Sequence, residues 1–130
     1  MTDPSPSTLE VLTGFPDNVV AVKAKGKITG SDYEKVLIPL CEAVFAKHGK
    51  ARVLYWCGPE FEGFSASAMF DDTWFGMKHI GDFDRIAVVS DHQWLINSIR
   101  FFAPLTPIQM RTFGDDAIED AKAWIVETDG

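Results

Sequence analysis

The chain is short of several things that would announce a chemistry. It has two cysteines, Cys41 and Cys57, with no CxxC pair and no metal-ligand spacing. Two such thiols are expected to be reduced and buried, as in cytoplasmic proteins. Basic residues are in the minority, 12 Lys and Arg against 19 Asp and Glu, for a net charge of −7. An acidic surface repels phosphate backbones and anionic headgroups, which excludes general nucleic-acid binding and a basic membrane-docking patch. No apolar run reaches the length of a membrane span. The start, "MTDPSPSTLE", has no apolar core of a signal peptide, so a cytoplasmic location is expected. Gly-rich dinucleotide and phosphate loops, GxSxG and HExxH are all missing, and nothing calls for a metal or other cofactor.

What is present is a pattern of elements. Residues 1–8, rich in Pro and Ser, are expected to be a flexible tail, and residues 9–130 one domain. Leu9–Leu12 and "NVVAVKAKG" suggest two strands joined by the turn "GFPDN"; in the second, Val20, Val22 and Ala24 alternate with Lys23 and Lys25. Ser31 and Glu34 are spaced as a capping box opening a helix to His48, with Gly49 ending it and Pro39 bending it. "ARVLYWC" is a strand apolar on both faces, and "GPEFEGF" is expected to be a loop. A second helix follows over "SASAMFDDTWFGMKHIG", with Ala66, Met69, Phe70, Trp74 and Met77 on one stripe. "RIAVVS" is a strand, Asp91 is the expected cap of "HQWLINSIRFF", and "IQMRTF" is the last strand. A final helix begins at Asp115 or Asp116, with Ala117, Ala121, Trp124 and Ile125 as its core stripe. The order predicts an α/β domain: a mixed, mostly parallel five-stranded sheet, an N-terminal antiparallel hairpin and about four helices.

With that order in place, "GKITGSDYEKVLIPLCEAVF", "ARVLYWCGPEFEGFSASAMFDD", "FDRIAVVSDHQWL" and "MRTFGDDAIEDAKAWI" together resemble the SpoIIAA-like proteins of the STAS-domain group, whose fold is similar to CRAL-TRIO lipid-binding domains. The markers are Gly26, Thr29, Asp32, Tyr33, Pro39, Gly63, Ala121 and Trp124. The resemblance implies a single (βα) superhelical domain and, from the STAS side, a non-enzymatic regulatory or partner-binding module. The CRAL-TRIO side implies carriage of an apolar ligand. In anti-sigma factor antagonists a phosphorylated serine opens the helix after the central strand. Ser65 and Ser67 of "EGFSASA" stand at that place, without the preceding acid and following glycine of the motif. A phosphate there would meet free N–H groups, while a serine there also serves simply as a helix cap.

The remaining candidates have plainer readings. Asp71 and Asp72 point about 100° apart on a helix and do not converge with His79, so a solvated face is expected rather than a metal or acid–base pair. His48, His79 and His92 fall near helix ends. Cys57 ends a strand but has no basic neighbour in sequence to activate it. The aromatic excess is the unusual feature. Phe64, Phe70 and Trp74, with Trp94, Phe101 and Phe102, exceed what one buried stripe per helix holds, so some are expected to stay exposed. They are candidates for a homo-oligomer interface, a surface for a regulatory protein partner, or a site for a small apolar ligand.

Overall fold

The computed structural model describes residues 9–127; the expected tail lies outside them. Five strands form one sheet in sequential order: β1 (Leu9–Val11), β2 (Val19–Ile28), β3 (Ala51–Phe64), β4 (Phe83–Val89) and β5 (Gln109–Phe113). β1 runs antiparallel to β2, and every other pair is parallel. This is the expected mixed sheet. Parallel neighbours need a crossover between them, and the helices supply it.

The first crossover comprises α1 (Gly30–Asp32), a π-helical turn (Tyr33–Leu37) and α2 (Ile38–His48), so residues 30–48 are helical without interruption. α3 (Ala66–Lys78) links β3 to β4, and α4 (Gln93–Phe102) with the 3-10 turn Ala103–Leu105 links β4 to β5. The π turn, α2, α3 and α4 all contribute to one apolar cluster, with Tyr33, Leu37, Cys41, Ala68, Phe75 and Leu95 packed over Val20, Val22, Val53 and Tyr55. The opposite face of the sheet is covered by α5 (Ile118–Ile125), whose Ala121, Trp124 and Ile125 pack on Ala21, Leu54, Ala87 and Val89. Both faces of β3 over residues 51–57 and of β4 over residues 86–89 are therefore largely dry, which is why these stretches are mostly apolar without alternation. β2 alternates because Lys23 reaches the sheet's edge on the α5 face, its ammonium 4.4 Å from the Trp56 ring.

Three local expectations are corrected. The capping box is Thr29 with Asp32, not Ser31 with Glu34: the Asp32 carboxylate accepts from the Thr29 N–H at 2.8 Å, and Thr29 Oγ1 accepts from the Asp32 N–H. Residues 58–64 are strand, not loop. β3 carries extra residues between Cys57 and Gly63, opposite Ala24 to Lys27 of β2, and Phe61 and Phe64 pair with Gly26 and Ile28. Asp91 does not cap α4. His92 stands at the cap without a side-chain bond, and Asp91 Oδ1 accepts from the Asp115 N–H at 3.1 Å. Pro39 lies in the first turn of α2, directly after the π turn. The proline ring crowds the carbonyl four residues back, which belongs to Lys35 inside that wider turn, so the extra width relieves the clash.

Candidate functional site

α3 is set by what lies beneath it. Ser65 caps its start, Oγ accepting from the Ala68 N–H at 3.1 Å. Ala68 and Phe75, seven residues apart, are the side chains it buries. The stripe expected to be its core is its outer face instead: Met69, Phe70, Trp74 and Met77 are exposed, Phe70 at 69% and Trp74 at 64%. The reason is that Asp71 and Asp72 belong to the inner side. The Tyr33 hydroxyl donates to Asp72 Oδ1 at 3.0 Å, and the Tyr55 hydroxyl donates to Tyr33 at 3.4 Å, a polar chain running from the sheet through the π turn to α3. With two carboxylates committed to the inner side, the apolar stripe about opposite them is left facing water.

This corrects the reading of Asp71 and Asp72 as a solvated face. Asp72 is exposed as a whole residue, yet its carboxylate is crowded enough that desolvation is the leading cause of its raised pKa, opposed by the Tyr33 hydrogen bond. Asp71 Oδ2 is buried and receives no N–H or O–H donor among the described residues. The Glu34 pKa is raised, first by a hydrogen bond with the Asp71 carboxyl and then by its charge. No group of three or more His, Cys, Asp or Glu among the described residues is arranged to hold a metal ion.

Ser65 and Ser67 both lie at this end of α3. Their hydroxyls are 3.0 Å apart, and Ser67 Oγ also accepts from the Gly30 N–H at 3.2 Å. A side chain on Gly30 would come within 2.8 Å of Ser67 Oγ and 3.1 Å of Asp71 Oδ2, so only glycine lets the two helices approach this closely. Both serines thus serve the contact between α1 and α3. A phosphate on Ser67 would sit beside Asp71, where like charge opposes it.

α4 buries Leu95 and turns a second apolar strip outward. Trp94 and Phe101, also seven residues apart, share a flank with Phe102; Phe101 is 69% exposed, and Leu105 follows on the 3-10 turn at 68%. The Trp94 ring stacks on Phe61 at 5.9 Å and meets Phe64 edge-on at 6.3 Å. Both phenylalanines belong to β3, so Trp94 leans from α4 toward that strand. Of the six aromatic candidates, Phe64 and Trp94 come together, Phe64 partly buried against Tyr55 and Phe61. Phe70 and Trp74 lie on the outer face of α3 and do not line a space between helix and sheet with them. A hollow of about 340 Å³ lies elsewhere, between α2 and the β1–β2 connection, lined by Val11, Leu12, Phe15, Leu40 and Val44 among others.

The remaining candidates carry little reactive chemistry, and Cys57 does not end a strand as expected but lies in the middle of β3. Cys57 is buried and burial pushes its thiol well up; Cys41, also buried, is pushed up to about 12. His92 Nε2 lies 3.2 Å from the Gly58 carbonyl. His79 is sandwiched by Phe45 at 4.6 Å and Phe75 at 4.7 Å, with Nδ1 2.8 Å from the Asp82 carboxylate, a packing role beyond its place at a helix end. Arg52 and Arg85, which the sequence pattern did not single out, are buried beneath α5. Arg52 carried a signal, as the one charge in the apolar run "ARVLYWC"; Arg85 stands beside Asp84 at the start of β4.

The SpoIIAA-like family model matches residues 19–126, from the start of β2 to the end of α5. The chain belongs to the SpoIIAA-like family. Among solved structures it is similar to an uncharacterised DUF3478-family protein with a SpoIIAA-like fold from Shewanella loihica PV-4. The two are 28% identical over 90% of this chain and 91% of that one, with a TM-score of 0.72. None of the curated proteins compared with it matches. No helix among the described residues of this SpoIIAA-like chain is long and apolar enough to cross a membrane.

Proposed function

We propose that this SpoIIAA-like protein works by contact rather than by catalysis, as a cytoplasmic regulatory or protein-interaction module. The observation that carries the reading is the outward apolar face of α3, with a second exposed apolar strip on α4. Met and aromatic residues are what interface cores are enriched in, and a face this large is unusual on a protein that meets only water. The raised thiol pKa of Cys57 supports the non-enzymatic part, since the thiolate is the nucleophile. Incorporating a photo-crosslinking phenylalanine analogue at Phe70 in cells tests it. Discrete protein adducts that vanish with Trp74→Asp are expected. Adducts to lipid or solvent alone would overturn it.

A second reading, carriage of a small apolar ligand, has one observation in its favour: Trp94, half exposed, closes over Phe61 and Phe64 at the edge of the sheet. Native mass spectrometry of protein taken directly from cells decides between them. A co-purified apolar molecule favours carriage. A clean chain mass with no lipid-dependent melting shift removes the reason for it.

A further inference from the structure

We propose that the seam between the first crossover and α3 is an acid-operated latch. A proton between the Glu34 and Asp71 carboxyls fastens the start of α3, and its loss at higher pH leaves two like charges opposed across the seam.

The carboxyls come together because the backbones do. Gly30 lets α1 and α3 approach until a Cβ there would stand 3.1 Å from Asp71 Oδ2. That oxygen is buried and receives no donor among the described residues. From the π turn, the Glu34 carboxyl comes within hydrogen-bonding reach of the Asp71 carboxyl. Ionised carboxylates only accept, so a hydrogen bond between these two exists only while one of them is protonated. Ionising both leaves a buried oxygen without a donor beside a second negative charge. Desolvation and repulsion then both oppose the contact.

The neighbouring groups supply no substitute for that proton. Asp32, on α1, is turned to Thr29 and accepts from its N–H and hydroxyl. Ser67 Oγ accepts from the Gly30 N–H and lies against Ser65 Oγ. Asp72 accepts from Tyr33, and its charge is felt at Tyr55 and Cys57 on β3 and at Cys41 on α2, none of them a cation. Lys35 is the cation that bears on Glu34. Its downward pull on the Glu34 pKa is the least of the causes, and the upward push of the Asp71 hydrogen bond is the largest.

α3 is suited to such control. Of its side chains only Ala68 and Phe75 are buried. Phe75 is held at the far end by Phe45, His79 and Phe83, so the near end depends on Ala68 and the polar seam. Glu34 holds its proton more tightly in the folded chain than in the unfolded one. The fastening is therefore fully present below the ordinary glutamate range and is lost as pH climbs through the raised value. Acidification thus firms the helix that carries the outward apolar face, whatever that face meets.

Amide-exchange protection of residues 66–72 in the purified full chain, followed from about pH 4 to about pH 7 across the carboxylate range, is the test. Protection in the parent is expected to fall severalfold as pH rises, more than in β3 or β4. Glu34→Gln and Asp71→Asn each place an N–H donor where the proton was needed, and each should lose less protection than the parent. Asp72 titrates in Glu34→Gln as in the parent, so its own pH dependence drops out of their difference. Carbon-13 NMR of the Glu34 carboxyl gives an independent reading: its titration should move to lower pH in Asp71→Asn. Exchange curves for Glu34→Gln that run parallel to the parent's overturn the proposal, as does a Glu34 titration that Asp71→Asn leaves in place. Crosslinking at Phe70 is read separately, so the latch can fail with the contact reading intact.

Discussion

Arg52 and Arg85 stand opposite each other in the β3–β4 ladder, two like charges on neighbouring strands, and both reach the last turn of α5. Arg52 donates to the carbonyls of Ile125 at 3.1 Å and of Glu127, and through Nε to Asp84 at 2.8 Å. Arg85 donates to the Trp124 carbonyl at 2.8 Å and lies over the Trp124 ring at 5.0 Å. The end of a helix leaves carbonyls without partners and carries partial negative charge, which is what two buried guanidiniums require.

Replacing either arginine by alanine leaves those carbonyls bare under the sheet. Arg52→Ala and Arg85→Ala are each expected to cost about 2–4 kcal/mol, the range for breaking a buried, hydrogen-bonded charge. Urea unfolding reads the loss. Amide exchange of α5 should rise more than that of α3, because the cap belongs to α5 alone.

Trp74 and Phe75 are neighbours in sequence with opposite fates. Trp74→Ala on the outer face is expected to change monomer stability by no more than about 0.5 kcal/mol. Phe75→Ala opens a hole between Phe45, His79 and Phe83 and should cost about 3–5 kcal/mol. Equal losses in chemical denaturation at low protein concentration would mean α3 is rotated from the orientation described.

Asp72 gives the fold a pH signature. Its pKa is raised in the folded state, so the native protein holds this proton more tightly than the unfolded chain does. Stability from this group is greatest below the ordinary aspartate range and falls as pH climbs through the raised value. Asp72→Asn cannot titrate but still accepts from Tyr33. Its stability relative to the parent is therefore expected to rise with pH from acid to neutral, read as the difference in urea midpoints. Tyr33→Phe removes the donor and should cost about 1–3 kcal/mol above the raised Asp72 pKa, where the acceptor is ionised. It should cost less in acid. Glu34 and Asp115, also raised, add the same sign to every variant and cancel in the comparison.

Ser65 and Ser67 separate a capping role from a tethering one. Aspartate caps helices as well as serine does, so Ser65→Asp is expected to be near neutral. Ser67→Asp sets a carboxylate beside Asp71 and takes the acceptor of the Gly30 N–H, and should cost about 1–2 kcal/mol. Thermal melts of the two variants check this. A stable Ser67→Asp protein would reopen the position to phosphate.

Strand and helix order was legible because each element signals itself locally, through alternation in β2, unbroken apolar runs in β3 and β4, and helical spacing in α5. The orientation of α3 was not. Its stripe has the spacing of a core face, and only Tyr33, 39 residues earlier, shows that the carboxylates belong inside. Residues 58–64 failed for a related reason. Gly58 and Pro59 are turn chemistry, and the strand survives them because β3 bulges there and resumes pairing with Gly26, Lys27 and Ile28 of β2. Ser31 and Glu34 lost the cap to Thr29 and Asp32, a rival pair with the same spacing and an equally suitable oxygen. Phe64, Phe70, Trp74 and Trp94 were legible as an excess but not as a set. Which of them meet depends on how α3 turns.

The wide turn at Tyr33–Leu37 holds one residue more than an α-helix closing the same span would. Each α-helical residue turns the chain about 100°. Removing one residue there would rewind Tyr33 around the axis, away from Asp72, while leaving Leu37, Cys41 and the rest of α2 seated on the sheet. The helix that carries the outward aromatic face is thus fastened at a position set by a single inserted residue, and Pro39 is what keeps that insertion from being trimmed back to regular helix.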